Sequence, residues 1–325
     1  MKHWTNYWRN SGALNSFAEG RVAKGYDGDV KKFWDDKFSL FPTQGEIVDL
    51  GTGNGALAIL AQEYAEHNSL DWHVSGVDAA EISPLSIQGL EEYTKSLLDK
   101  IEFLGSTFIE SMEYPDNSIS AFISQFGFEY SDKEIALERV YRTLKPHGLV
   151  CLVMHTEESE IVLQSKVGIK VNEKVFSSEL FSKAIEMFEQ KKQVVKRGGA
   201  KGWAESQLFS DFNNHLRLVV ENLMNLFSKN YERAWIESIV VAFAEIMRTS
   251  VNKSADAVLE ELTGLKERLI YHNERLIDQV SASFTTLEKS KFKNLAANLG
   301  FAVDTSSVLY VDGENVGWCL VLRKD

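Results

Sequence analysis

Cysteine is almost missing. Cys151 and Cys319 are the only two in 325 residues, too few for a disulfide scaffold or a four-thiolate zinc site. Proline is nearly as scarce, and Pro42, Pro84, Pro115 and Pro146 all fall in the first 146 residues. Proline breaks helix interiors and marks loops, so the two halves of the chain should be built differently. Basic charge is in deficit: 35 Lys and Arg stand against 47 Asp and Glu, a net charge of −12. Broad nucleic-acid binding needs a basic face to displace counterions from phosphates, so that class is disfavoured. No 18-residue apolar run occurs, and the opening stretch MKHWTNYWRNSG has no apolar h-region. The expectation is a cytoplasmic chain, neither exported nor membrane-bound. The seven histidines are scattered without an H-x-x-x-H pair, so no metal site is expected.

What is present is the composition of a folded protein, with 44% hydrophobic and 25% charged residues, and room for about two compact units. In the first half, short apolar runs alternate with helical patterns. EIVDLG, WHVSGVD, IEFLGS, SISAFISQF and HGLVCLVMH read as five strands. Between them, ALAILAQEYAEH, the stretch from Pro84 to Lys100, and DKEIALERVYRTLK read as helices, the last with Ile135, Leu137, Val140, Tyr141 and Leu144 as its apolar positions. Strands alternating with helices predict a parallel sheet wound by right-handed crossovers.

From residue 157 to 284 the alternation stops. FSSELFSKAIEMF, FNNHLRLVVENLMNLF, AWIESIVVAFAEIM and the long run beginning ADAVLEEL carry apolar residues at helical spacing, which predicts about four helices. Gly198, Gly199 and Gly202 mark a break in KRGGAKGW. This insertion holds 17 Lys and Arg against 19 Asp and Glu, so nearly all the acidity belongs to the rest of the chain. Within it, Lys191, Lys192, Lys196, Arg197 and Lys201 form a basic run without an intervening acid. That run reads either as a solvated loop or as a docking patch for an anionic acceptor. The alternating style then returns: SKFKNLAANLG is a helix stopped by Gly300, and two strands follow, joined around Asp312-Gly313, a hairpin signal.

The strongest local signal is Asp49-Leu50-Gly51-Thr52-Gly53-Asn54-Gly55, closing a strand and opening a helix. Glycines there let the backbone turn tightly and approach a ligand, and the helix N-terminus offers free N–H groups. Asp78 ends the next strand, where a carboxylate can accept both hydroxyls of a ribose. The glycine spacing also satisfies the dinucleotide fingerprint, so it does not by itself choose the ligand. Asp49 does discriminate. A carboxylate two residues before the first glycine repels a diphosphate and attracts a cationic amino group, which favours S-adenosylmethionine over NAD.

Several stretches in order resemble the class I S-adenosylmethionine-dependent methyltransferases, in particular the small-molecule enzymes related to ubiquinone biosynthesis. IVDLGTGNGALAILAQ is similar to the first motif of that family and VSGVDAAEIS to its acidic second-strand motif. MEYPDNSISAFISQFGFEY and LERVYRTLKPHGLVCLV resemble the stretches around the fourth and fifth strands. The terminal hairpin fits the antiparallel sixth and seventh strands that set this fold apart from dehydrogenases. The resemblance covers close to half the chain. It implies a Rossmann-like α/β sheet of seven strands with a large helical insertion, and S-adenosyl-L-methionine as cofactor.

The resemblance further implies that Gly51, Thr52, Gly53, Asn54 and Gly55 pack on the methionine portion, with Asp49 holding its amino group. Asp78 would bind the ribose, Ala79 would line the adenine slot, and Gln125 and Phe126 would face the methyl end. Where relatives often carry an acid for the adenine amino group, this chain has Gly105-Ser106-Thr107, so a hydroxyl of Ser106 or Thr107, or the backbone, would serve. Ser120-Ala121 replaces the Phe-Asp of many relatives, and no functional consequence follows. The fifth and seventh strands are neighbours in this family, which would bring Cys151 and Cys319 close together as buried thiols.

Methyl transfer mainly requires alignment and exclusion of water, with a base only where the acceptor must lose a proton. His155, at the end of the fifth strand, is a candidate base or merely a polar strand end. Glu129, with Tyr130 beside it, lies near the same edge, or Glu129 caps the following helix. The N-terminal stretch is rich in aromatics (Trp4, Tyr7, Trp8, Phe17, Tyr26, Phe33, Trp34, Phe38). They serve as a lid, with Tyr26 near the methionine end, or dock the N-terminal helices on the sheet.

The expected organisation is an N-terminal helical lid over 1–40, a cofactor-binding core over 41–156 and 285–325, and a helical insertion over 157–284. That insertion acts as a cap or as a homodimer interface. The expected activity is methyl transfer to a small-molecule acceptor. The rivals are protein or tRNA methylation and, from another class, a non-catalytic cofactor-binding regulator or partner subunit. An NAD-dependent oxidoreductase comes last.

Overall fold

The short apolar runs and the terminal hairpin assemble into one seven-stranded sheet. The computed structural model describes residues 1–15 and 26–325, with all of their side chains except those of residues 197, 198, 200 and 201. Phe17, counted above among the N-terminal aromatics, lies outside the described residues, as do the side chains of Arg197 and Lys201.

Two helices lead in, α1 (Lys2–Asn10) and α2 (Gly28–Phe38). Then follow β1 (Gln44–Leu50), α3 (Ala56–His67), β2 (Asp71–Val77), α4 (Glu92–Leu98), β3 (Glu102–Leu104), β4 (Ile119–Gln125), α5 (Lys133–Thr143) and β5 (Leu144–Met154). Five helices intervene: α6 (Glu160–Ser177), α7 (Leu180–Ala204), α8 (Gln207–Leu226), α9 (Asn230–Thr249) and α10 (Ala255–Ala282). The chain closes with α11 (Thr286–Leu299), β6 (Phe301–Val311) and β7 (Glu314–Lys324). The sheet order is β3-β2-β1-β4-β5-β7-β6. Strands β1 to β5 run parallel, and β7 is antiparallel to both neighbours.

Both faces of this sheet are covered, which is why its central strands are apolar on consecutive residues rather than alternate ones. All seven residues of β4 are buried. Side chains divide by the two-residue period. Val150, Leu152 and Met154 of β5 join one core with Val48, Phe122, Leu137 and Phe292. Leu149, Cys151 and Val153 join the other with Trp34, Ile47, Leu57 and Trp72. Cys319 pairs with Val153 and Val321 with Cys151, so the two cysteines lie on one face two rungs apart, both buried and both free. Burial holds the Cys151 thiol protonated.

The expected helix from Pro84 to Lys100 is shorter in the structure. Pro84–Ser86 makes a single 3-10 turn, Gly89 takes a left-handed backbone (φ 78°), and regular helix begins only at Glu92. Ile135, placed above on the apolar side of α5, is half exposed, and Ala136, Leu137, Val140 and Thr143 carry the packing instead. Helix α11 starts from a Thr285/Glu288 capping box and stops at Gly300 in the left-handed region. Asp312 and Gly313, both at positive φ, make the β6–β7 turn, as the type I′ hairpin requires.

Two compact units result, one comprising Met1–Leu163 with Asp278–Asp325 and the other Gln164–Ile277. The second is narrower than the 157–284 insertion. Just outside its ends, Thr156 and Phe284 form a parallel bridge, Phe284 N–H donates to His155 O (2.8 Å), and Glu157 N–H donates to Phe284 O (3.1 Å). The helical unit has its own core of Val171, Phe188, Leu216, Phe243 and Leu262 among others.

It contains one helix more than the four expected. In α6, VGIKVNEKV combines β-branched residues with Gly168, a weak intrinsic helix former, and packing decides the outcome. A methyl group at Gly168 would come within 2.8 Å of Trp235 and Leu276. The expected break in KRGGAKGW is a kink at Gly199 (φ 72°, ψ 175°) inside α7. The basic run finds acids on other turns and helices: Lys192 pairs with Asp256 (2.8 Å) and Glu189 (3.5 Å). Lys191 donates to Ser250 O (3.4 Å).

Candidate cofactor and acceptor site

At the carboxyl ends of β1 and β2 the backbone leaves the sheet and makes the glycine loop. Gly51, Gly53 and Gly55 adopt φ of 70°, 54° and 89°, a region that side chains disfavour. The space is as restrictive as the angle at all three, Gly55 being closed by the Phe103 ring. A methyl group at Gly51 would lie 2.6 Å from Gly127 Cα, and one at Gly53 would collide with the Trp8 indole. The loop is pinned from below, since the Gly51 and Thr52 amides both donate to Val77 O (2.9 and 3.0 Å).

Two carboxylates are buried around this loop. Asp49 accepts a hydrogen bond from Thr52 Oγ1 (2.7 Å). Asp78 accepts from the Gly53 amide (2.8 Å) and the Ala80 amide (2.7 Å). Desolvation lifts Asp49 to about 7, with Asp78 adding a further push, and lifts Asp78 to about 6. Among the described residues no Lys or Arg pairs with either. Tyr26 is close enough to Asp49 and Gln125 to feel both, and burial together with Asp49 holds its hydroxyl protonated. Gln125 also accepts from Trp34 Nε1. Asn54 donates from Nδ2 to Trp8 O (2.9 Å) and Ala13 O (2.8 Å), which ties the N-terminal segment to the loop. Its Oδ1 is buried without a partner.

Beside the loop opens a cavity of about 430 Å³, within the usual range for small-ligand sites. Gly51, Asp78, Ala79, Phe126 and Glu129 line it, together with Trp4, Trp8, Phe108, Ile109, Tyr130 and Asp278. The other expected site residues do not line it. Asp49, Thr52, Gly53, Asn54 and Gly55 belong to the strand end and loop next to Gly51, and Tyr26 interacts with Asp49 and Gln125. Ser106 is exposed, and its amide donates to Ala80 O (2.9 Å) while the Thr107 amide donates to Asp78 O (2.9 Å). These two residues shape the turn that carries Phe108 and Ile109 to the cavity wall.

His155 and Glu129 are joined through the backbone: the His155 amide donates to Glu129 Oε1 (2.7 Å). The His155 ring stacks on Phe126 (centroids 4.2 Å, 5° between planes) and its Nε2 faces Gln279 Nε2 (3.1 Å). Burial pulls its pKa down to about 3, so the imidazole is neutral. Glu129 is lifted to about 7 by the same desolvation, and its Oε2 has no hydrogen-bond partner among the described residues.

Asp278 and Phe108 are among the lining residues that escaped the sequence reading. Asp278 accepts from His3 Nε2 (2.6 Å) and Trp4 Nε1 (3.0 Å) across a separation of some 275 residues, a contact no local pattern announces. Phe108 is half exposed; an apolar residue right after the Ser106-Thr107 turn was the only available signal.

Residues 47–148 match the family model described as a methyltransferase domain. No curated protein matches. Among solved structures, a geranyl diphosphate methyltransferase in complex with geranyl diphosphate and sinefungin is 16% identical, with 39% of this chain and 44% of that one covered and a TM-score of 0.30. A candidate S-adenosyl-L-methionine-dependent methyltransferase from Methanococcus maripaludis is 13% identical over 91% and 83%, with a TM-score of 0.36. The CMeT domain of a citrinin polyketide synthase is 10% identical over 86% and 46%, with a TM-score of 0.39. The chain spans less than half the length of the geranyl diphosphate enzyme.

The segment that matches the methyltransferase-domain model, residues 47–148, spans β1 to β5 of the sheet, in which β7 lies antiparallel between β5 and β6. The residues around the loop fit S-adenosylmethionine as a ligand. The glycine cradle admits no side chain, and two buried carboxylates without a described cation suit a ligand bearing ammonium and sulfonium charges.

Proposed function

We propose that this chain is an S-adenosylmethionine-dependent methyltransferase that acts on a small-molecule acceptor held in the cavity beside the glycine loop. The observation that supports this reading is the cavity itself: about 430 Å³, walled by Trp4, Phe108, Ile109, Phe126 and Tyr130 and continuous with Gly51, Asp78 and Ala79. A space of that size and apolarity suits a compact organic molecule better than a tRNA or a protein segment. The rival docking patch is weakened by the pairing of Lys192 with Asp256 and Glu189.

When bound, the cofactor supplies a methyl group on a positively charged sulfur. Gly51, Thr52, Gly53, Asn54 and Gly55 seat it against the open backbone, and Asp49 balances its positive charge. Asp78, fixed by two amides, keeps lone pairs free for ribose hydroxyls, and Ala79 borders the cavity next to it. Trp8 closes over Gly53, and Trp4, Phe126 and Tyr130 exclude water from the space in which acceptor and methyl meet. Gln125 and Tyr26 brace the floor. Neutral His155 holds the Phe126 ring by stacking, and its amide orients Glu129.

The test is methyl transfer from labelled S-adenosylmethionine into fractionated cell extract. Label should enter the small-molecule fraction. Label confined to protein or tRNA would overturn the reading, and so would retained cofactor binding with no label in any fraction, the behaviour of a regulator.

A further inference from the structure

The cavity holds more than apolar wall. Glu129 is 1% exposed, lines the cavity, and accepts the His155 amide on Oε1. Its Oε2 is a buried acceptor with no hydrogen-bond partner among the described residues, which is costly unless a ligand completes it. Asp278 is a second carboxylate on the same wall, oriented by His3 and Trp4. The rings of Trp4 and Tyr130 meet edge to face at 5.6 Å, and Tyr130 feels the charge of both acids. The cations on the described lining are the amino group of Met1 and Lys133, whose ammonium lies over the Phe284 ring (5.2 Å). Aromatic faces combined with carboxylates select cations.

We propose that the acceptor is an amine, recognised in its ammonium form by Glu129 and Asp278 against the rings of Trp4 and Tyr130. This rests on the small-molecule reading above and names its substrate class. An ammonium must shed a proton before its nitrogen has a lone pair to offer. Glu129 Oε2 receives it: the N–H bond breaks, its electron pair stays on nitrogen, and an O–H bond forms on a carboxyl that is then neutral. The groups facing Glu129 permit both of its states. His155 just past β5 is neutral, Tyr130 stays protonated, and burial raises the Glu129 pKa to about 7 against the opposing pull of Lys133 on α5, while Asp278 at the end of α10, bonded to His3, lines the cavity with Asp78, Glu110 and Met1. Glu129 is thus poised to exchange a proton near neutrality.

The experiment is calorimetric titration of the full chain, loaded with S-adenosylhomocysteine, with phenethylamine, tyramine and 2-cyclohexylethylamine, each beside the corresponding alcohol and carboxylate. At least one amine should bind roughly tenfold tighter than both counterparts, the size of one charge-assisted hydrogen bond. Glu129→Gln should remove that preference without changing S-adenosylhomocysteine affinity. Asp278→Asn, at a partly exposed position, should weaken amine binding in part and serves if Glu129→Gln does not fold. Absence of amine preference throughout the set, or its survival in the variants, would overturn the proposal. Failure of the wild-type chain to bind S-adenosylhomocysteine at all would strike the cofactor reading instead.

Discussion

The two units treat buried polar groups in opposite ways. In the sheet unit, Asp49, Asp78, Gln125, Glu129 and His155 are all at most 8% exposed and gather near the carboxyl ends of β1, β2, β4 and β5. Desolvation raises three of the carboxyl groups among them to between about 6 and 7 and pulls the imidazole down to about 3. In the helical unit, the buried polar side chains are fewer and neighbour-satisfied: Glu232 meets Lys170 (2.7 Å) and Asn172 meets Asn273 (3.2 Å). Its core is otherwise aliphatic and aromatic. Buried groups whose charge is left for a ligand to balance mark chemistry, whereas the helical unit spends its burial on packing.

Glycine substitutions break this comparison most sharply. Gly51→Ala places a methyl group against Gly127 in a left-handed backbone, and S-adenosylhomocysteine affinity should fall roughly a hundredfold or more. Gly202→Ala, in the helical unit, meets nothing within 4 Å and should leave affinity unchanged while holding or slightly raising stability. Calorimetric titration and thermal melts of both variants check the pair. Equal losses in the two would contradict the assignment of the loop.

A smaller effect is expected from pH. Asp49 rises from its ordinary 3.8 to about 7 in the folded chain. The native state therefore binds this proton more tightly than the unfolded state, and the associated stability is lost as pH climbs through that window. Relative to Asp49→Asn, the wild type should become less stable between pH 4 and 7. S-adenosylhomocysteine, with its ammonium group, should restore more stability at the upper end. Melting curves across this range, with and without ligand, would disprove the idea if the two proteins ran parallel.

The smallest effect on the site should come from the helical core. Leu262→Ala removes a fully buried side chain and should cost about 2–5 kcal/mol in unfolding free energy, measured by denaturant titration. Cofactor affinity below the unfolding transition should stay within about twofold, well under the 1.4 kcal/mol of a tenfold change.

Much of the sheet was readable because its signals are local. Strand β1, the loop to Gly55 and helix α3 follow from a run of apolar residues, three glycines and an amphipathic dozen, and the structure keeps those boundaries within two residues. Asp49 was readable as a charge, but its burial and shifted pKa were not, since both depend on what packs around it. The helix expected from Pro84 failed at Gly89, where a left-handed turn outweighed the apolar spacing. Asp278 and its bonds to His3 and Trp4 were invisible for another reason: they join the two far ends of the chain's first unit. One acid that pairs with Lys192 was hidden likewise, because Asp256 comes from a helix 64 residues away.

Calorimetric titration of the purified chain with S-adenosylhomocysteine, beside NAD and beside the Gly51→Ala variant, tests the central claim most directly. One equivalent of S-adenosylhomocysteine should bind the wild type, with affinity lost in Gly51→Ala and no heat from NAD. Binding of NAD in preference to S-adenosylhomocysteine, or unimpaired binding by Gly51→Ala, would contradict it.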